Sequence, residues 1–346
     1  MLKKMVLFSS GLCVNTKKAL VLAVLAVFTA GMLFAGGGSQ SGKSGGTPTI
    51  VAIPKQKIPW FEPYSKGITR AAADFNFNGY YQPPSTADEA EQVRVVRDAI
   101  TQGANALLVV PNDAQSLVPV FTDARKKGIA VLTHESPDQP EADWDVEMIN
   151  NDIYGQHFVE QLVKQIGASG EFAIYVGSLT VPAHNIWADS AEAYAKEKYP
   201  GLKLVAPRFP VAEDREKSRQ TAIDIVKTYP NLKGFIMFGS QGAPGAAQAL
   251  KELGLVDKIA VIGGGTPDEA RPFVKDGSWD VVILWDSGDA SYAMAYIAKL
   301  MLDGKRAEIK QGINIPNIGV PQIVGKNILF DKPLILTKDN IDEYHF

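Results

Sequence analysis

Hydrogen-bonding and aromatic side chains stand just beyond a series of short apolar runs in this chain. Lys55 and then Trp60-Phe61 follow Ile53-Pro54, Asn112 and Asp113 follow Val110-Pro111, and Glu135 follows Thr133-His134. In the second half, His184, Asn185 and Trp187 come after Gly177-Ser178, Ser240 and Gln241 after Phe238-Gly239, and Trp285-Asp286 ends a run begun near 280. Aromatic faces pack on the C–H faces of a sugar ring, while carboxylates and amides exchange hydrogen bonds with its hydroxyls. The set is poor in the acids, bases and nucleophiles of a catalytic unit. There is no G-x-S-x-G and no H-E-x-x-H, and the chain has only 4 histidines, of which His157 and His184 lack an evident nucleophile partner. No catalytic residue, metal-ligand set or cofactor is expected. Gly263–Gly265 lacks the spacing of a phosphate loop and reads as a tight strand-to-helix turn. Structural roles compete for several positions: a staple onto the next helix for Trp60 and Phe61, turn or cap duties for Asn112 and Asp113, a local hydrogen bond for His184, and a hinge contact for Asp286.

The elements that must position these residues alternate. Thr49–Ile53 is a buried strand by pattern, and Thr86 to Glu89 has the form of a capping box with Thr86 at the N-cap. Val93, Val96 and Ile100 then recur at helical spacing as far as Gly103. Strand 106–110, a helix from about 114 and strand 129–133 follow. The second half continues with strand 172–176, helix 186–198, strand 203–206, helix 215–228, strand 234–238, helix 243–253, strand 259–263, helix 267–275, strand 280–285 and helix 289–303. Short, wholly apolar strands alternating with amphipathic helices predict an α/β fold of parallel sheets covered on both faces. About 300 residues exceed one ordinary core, so two such sheets are expected. Ligands of such sheets bind beyond the carboxyl ends of strands, where the residues above lie.

Composition narrows the choice of partners. The chain has 346 residues, 46% hydrophobic and 21% charged, with 35 Lys and Arg against 38 Asp and Glu. That is ordinary globular stock, and the acidic balance argues against a broad basic face for nucleic acid. One cysteine excludes an internal disulfide and a Cys-rich metal site. Lys3, Lys4, Lys17 and Lys18 precede an apolar or small run from Ala19 to Ala35. The pattern predicts an export signal cleaved near Ala35, or an N-terminal anchor, over residues 1–35. Cys13 lies before the apolar run, badly placed for lipidation at its end. Residues 36–47 (GGGSQSGKSGGT) read as a flexible tether. The working part of the chain is therefore expected outside the cytoplasm, in the periplasm or tethered at the outer face of the cytoplasmic membrane.

Along residues 48–346 the sequence resembles the type I periplasmic solute-binding proteins of ABC importers, in their ribose-binding-like branch. Pro59-Trp60-Phe61, DAITQGANALLVVPND at 98–113, KKGIAVLTHE at 126–135 and GGGTPDEARPFVKDG at 263–277 carry the resemblance. IPK at 53–55, LWD at 284–286 and NIDEYHF at 340–346 bring it nearest to the autoinducer-2-binding and rhamnose-binding group.

The resemblance implies two Rossmann-like lobes joined by a three-segment hinge. The first lobe would hold 48–150 and 287–325, and the second 151–286 and 326–346, with Asn151-Asp152 and Trp285-Asp286 near the hinges. It also implies a monomer that closes on one small sugar or sugar-like ligand and delivers it to a membrane permease. Lys55 takes the place of a ligand-contacting lysine of the autoinducer-2 group, Trp60 and Phe61 that of an aromatic wall, and Glu135 that of a shorter Asp that holds hydroxyls. An Asp-Gln pair of the autoinducer-2 binders falls on Ala183-His184, and a Pro-x-Ala element on Phe238-Gly239-Ser240. These departures favour a pentose or deoxyhexose such as rhamnose over autoinducer-2, with His184, Asn185 and Trp187 rebuilding one wall. Autoinducer-2 binding for uptake or signalling, an α/β enzyme, and a sensor feeding a membrane receptor such as a chemoreceptor remain as alternatives. A repressor of the same fold would need a DNA-reading helix-turn-helix where this chain has its leader.

Overall fold

The computed structural model describes residues 46–346. The expected export segment, Cys13 and all but the end of the expected tether lie outside the described residues. Among the described residues, no helix is long and apolar enough to cross a membrane.

Fourteen strands are described: β1 (Thr49–Ile53), β2 (Asn78–Tyr81), β3 (Ala106–Val109), β4 (Ala130–Thr133), β5 (Trp144–Glu147), β6 (Ser169–Val176), β7 (Gly201–Leu204), β8 (Phe209–Pro210), β9 (Leu232–Met237), β10 (Ala260–Gly263), β11 (Val281–Leu284), β12 (Gln322–Val324), β13 (Asn327–Leu329) and β14 (Leu334–Leu336). They are interleaved with α1 (Glu62–Phe75), α2 (Glu89–Thr101), α3 (Val118–Lys126), α4 (Asn151–Ile166), α5 (Pro182–Lys198), α6 (Arg215–Thr228), α7 (Gly242–Leu253), α8 (Pro267–Asp276) and α9 (Ser287–Leu302).

The strands form two sheets. The first runs β2-β1-β3-β4-β5-β13-β12 and the second β7-β6-β9-β10-β11-β14, with β8 attached to β6. All pairings are parallel except β12 with β13 and β11 with β14, which lie at the edges. The central strands β3, β4, β10 and β11 are buried along their whole length, as two covered faces require. Each sheet reverses its strand order beside its first strand, at β1 and at β6. That reversal splays the flanking helices apart and opens a crevice at the carboxyl ends.

The chain passes between the sheets three times: from β5 into α4, from β11 into α9, and from β13 to β14. The third passage corrects the boundary expected at 325/326. Residues 327–329 pair with Asp145–Glu147 of the first sheet. They form one leg of a hairpin whose turn holds Gly325 at φ 61°, so a boundary at 325 would cut the hairpin in two. Two further local expectations shift. The cap of α2 is Asp88, which accepts from the Glu91 N–H at 2.6 Å, and the Glu91 carboxylate reaches back to the hydroxyls of Ser85 and Thr86. The helix expected from about 114 starts at Val118, because Asp113 accepts from the Ser116 N–H and holds 113–116 as a turn.

Helix α4 packs on α5 through Gly155. A Cβ there would lie 2.0 Å from the Trp187 carbonyl oxygen, so only glycine allows the approach. Gly155→Ala is expected to destabilise the fold by about 1–3 kcal/mol, the usual cost of overpacking. Urea unfolding checks this, with an unchanged midpoint as the contrary result.

Candidate functional site

Crevice residues of both sheets meet around a narrow space, lined by Lys55, Trp60, Glu135, Tyr154, His184, Trp187, Glu213, Phe238, Ser240, Gly264, Gly265, Ile283 and Trp285.

Lys55 stands two residues past β1. A buried polar side chain fixes the strand end beneath it. Gln92 donates to the carbonyls of Pro54 and Val110 and accepts from the Asn112 N–H, while Asn112 donates to the Lys55 carbonyl. The Lys55 side chain is 2% exposed, and its ammonium donates to Glu135 Oε2 at 2.6 Å and pairs with Glu213 Oε1 at 3.1 Å. Burial alone would lower the lysine pKa, but the charges and hydrogen bonds of Glu135 and Glu213 outweigh it and hold the pKa above the ordinary value. Lys55 and Glu135 come from the first lobe, Glu213 and His184 from the second. Gln56 also donates across the cleft, to the Glu213 carbonyl at 2.9 Å and its Oε2 at 3.2 Å.

Glu135 sits two residues past β4 with φ 57°, the left-handed region that costs a non-glycine residue about 1–2 kcal/mol. The backbone bears that strain where it turns a buried carboxylate into the cleft, a pattern found at binding sites.

His184 lies in the first turn of α5. Its Nδ1 accepts from the Gly177 N–H at 3.0 Å, which leaves the proton of the neutral ring on Nε2. Burial, and then the Lys55 charge, push its pKa well below the usual imidazole range, so the ring stays neutral. Nε2 is 3.0 Å from Lys55 Nζ, so two N–H donors face each other. The nearest carboxylate oxygens lie at 3.7 and 3.9 Å, beyond hydrogen-bonding reach. A ligand oxygen within reach of both nitrogens would accept from each.

The aromatic residues present ring surface to the space while their polar ends are tied. Trp285 donates to His134 Nε2 at 3.1 Å, Tyr154 to the Ile283 carbonyl at 2.9 Å, and Trp187 to Asn151 Oδ1. Trp60 meets Trp285 edge-on with centroids 5.0 Å apart, and Trp187 stacks on His184. Gly265 lines the space as well, and a Cβ there would come within 2.6 Å of the Trp279 ring behind it.

Of the residues singled out from sequence, Lys55, Trp60, Glu135, His184, Trp187, Ser240 and Trp285 line the space. The others stand behind it. Phe61 is wholly buried against Tyr64. Asn112 supports Lys55, and Asp113 holds a turn. Asn185 donates to the carbonyls of Ser178 and Val181. The Gln241 side chain reaches Glu269 at 3.5 Å, and Asp286 caps α9 by accepting from Gly288 and Asp289. Glu213 and Tyr154 escaped sequence reading. Glu213 follows the run Phe209–Ala212, which holds only the two-residue strand β8, and Tyr154 lies inside α4. A search past short edge strands could have found Glu213; nothing local marks Tyr154.

Comparison with known proteins agrees with this geometry. A family model described as a periplasmic binding protein domain matches residues 49–306. A D-ribose/D-allose-binding protein of Pseudomonas aeruginosa is 28% identical over 203 residues, 55% of this chain and 60% of its own length. A D-allose-binding periplasmic protein of Escherichia coli is 26% identical over 259 residues, 72% of this chain and 81% of its own. Among solved structures, LsrB from Clostridium saccharobutylicum in complex with AI-2 matches with a TM-score of 0.80 at 25% identity, covering 86% of this chain and 100% of that one. An ABC transporter solute binding protein from Clostridium phytofermentas with bound L-rhamnose gives a TM-score of 0.80 at 22% identity, over 86% and 98% of the two chains, a likeness of fold.

Directly behind the site, Asp145 and Glu147 of β5 are buried together. Their carboxyl groups hydrogen-bond to each other, and the Thr133 hydroxyl donates to Asp145 Oδ1 at 2.7 Å. Burial, and then the neighbouring Asp145 charge, hold the Glu147 carboxyl well above the carboxylate range. The folded chain thus keeps a proton that the unfolded chain releases as pH rises above about 4.5. Ionisable Glu147 therefore lowers stability progressively as pH climbs through that window. Glu147→Gln removes the dependence. As pH rises above about 4.5 the variant is expected to gain on the wild type, with a slope of at most about 1.4 kcal/mol per pH unit. Urea titrations at stepped pH check this; a difference that stays constant with pH contradicts it.

Proposed function

Because the chain belongs to the periplasmic binding protein family, in its type I branch of sugar-binding proteins of ABC importers, we propose that it captures a pentose or deoxyhexose such as rhamnose between its lobes and delivers it to the membrane permease of an importer. In this reading it works outside the cytoplasm as a monomer and turns nothing over. The observation that carries it is the meeting of complementary groups from both lobes beside aromatic faces. The Lys55 and His184 N–H groups converge on one point, Glu135 and Glu213 flank it as acceptors, and Trp60 and Trp285 stand alongside. A sugar offers what this set needs: an oxygen that accepts two hydrogen bonds, hydroxyls that donate to carboxylates, and a C–H face for an indole. A ligand held by both lobes binds the closed form better than the open one, and that difference is what drives closure. The ribose and allose named for two relatives support testing small sugars first.

Thermal unfolding of the full chain against rhamnose, ribose, allose, xylose, arabinose and an autoinducer-2 preparation tests the reading. A ligand at a hundred times its Kd should stabilise by about 2.7 kcal/mol. A strong shift with one sugar supports the reading, a strong shift with autoinducer-2 alone moves the ligand to that class, and a flat panel refutes it. Trp60→Ala and Glu135→Ala are each expected to weaken sugar binding roughly ten- to a hundredfold, about 1.5–3 kcal/mol, in a chain that still folds. Calorimetric titration gives the number; unchanged affinity in Glu135→Ala would remove that carboxylate from the site.

A further inference from the structure

Charge in the cleft is unbalanced. Lys55 is the only cation among the described residues that line the space, and two carboxylates, Glu135 and Glu213, share it at 2.6 and 3.1 Å. His184 is neutral and cannot make up the difference. Behind the lining, His134 also stays neutral through burial, and Glu147 holds its proton, so neither supplies a counter-charge. Glu135 and Lys55 cancel within the first lobe. Glu213 is left over, contributed by the second lobe and held against Gln56, an uncharged partner.

We propose that Glu213 is a specificity residue that makes the cleft select neutral polyhydroxy ligands and reject their anionic counterparts. The proposal rests on the sugar-binding reading above and adds a role for one residue. An anion entering this space finds its one ammonium already shared by two carboxylates. It must lose its own hydration beside a surplus negative charge, in surroundings where water screens little. A neutral sugar meets no such penalty and gives Glu213 a hydroxyl to accept from. Discrimination of this kind works through a repulsive element, not through a better fit to the preferred ligand.

The test compares ratios. The full chain and its Glu213→Gln variant are titrated calorimetrically with three pairs: D-ribose and D-ribonate, L-rhamnose and L-rhamnonate, D-allose and D-allonate. The wild type is expected to bind a neutral member at least tenfold more tightly than its aldonate, and Glu213→Gln to narrow that ratio at least tenfold. Releasing Lys55 from Glu213 favours the anion through charge alone, and the difference between ring and open chain is the same in wild type and variant, so the change in ratio reads the charge. Gln56→Lys, which sets an ammonium against Glu213 without removing it, is expected to narrow the ratio in the same direction and stands in if Glu213→Gln does not fold. A wild type that binds an aldonate as well as its sugar, or a ratio unmoved by either variant, overturns the proposal while leaving sugar binding intact. Absence of binding to every neutral sugar overturns the sugar reading and this inference with it.

Discussion

Burying an ammonium costs several kcal/mol of hydration unless oxygens meet it at close range. Lys55 is met twice, by a carboxylate of its own lobe and by one from the lobe opposite. The second contact exists only when the lobes are together. The ion pair is thus less a source of fold stability than a statement about geometry, since buried pairs often do little better than break even. It fixes where β1, β4 and the segment before α6 must end relative to one another. Gln92 and Asn112 hold the strand ends from below, and the left-handed turn at Glu135 follows from the same demand. Without that φ of 57° the carboxylate would not be delivered into the cleft directly past a buried strand.

The alternation of apolar runs and amphipathic segments made most of the fold legible. β1 and α6 begin and end where the pattern puts them, because wholly buried strands and capped helices leave strong local marks. What was missed has a common cause. β5 reads WDVE, and its acids face the interior, so it looks like a loop until the sheet is assembled. β2 is half exposed, and β12 to β14 are three residues each, too short for a periodic signal. The lobe boundary was misplaced for the same reason: the deciding hairpin is short, and its partner strand β5 was invisible.

The site was legible where it follows the rule of strand ends. Lys55, Glu135, Ser240 and Trp285 stand within three residues of the end of a buried strand, Trp60 stands in the turn that follows β1, and all line the cleft. Asn112, Asp113 and Asp286 also follow strands, but their short side chains bond backbone N–H or C=O groups within reach and so face away. Sequence position gives the place, and local hydrogen bonding decides the direction. Glu213 shows the converse. It reaches the centre of the cleft from the end of a two-residue strand, and no single-lobe argument would have chosen it, since its partners Lys55 and Gln56 are more than 150 residues earlier.

The polar groups of the cleft satisfy one another only in part. Glu213 and Glu135 both find Lys55, yet the Lys55 and His184 donors face each other at 3.0 Å. Two facing donors in surroundings of low polarity raise the energy of the empty closed form. An acceptor oxygen removes that conflict, and it does so only when both lobes are in place, because one donor belongs to each. The mismatch therefore biases closure toward the occupied state. Gln56, the Ala183 N–H on the Glu135 carbonyl at 3.3 Å, and the Lys55–Glu213 pair pull the other way by joining the lobes directly. The balance between these contacts and the donor conflict sets how far the empty protein closes, and hence how much of a ligand's binding energy is left to hold the two halves shut.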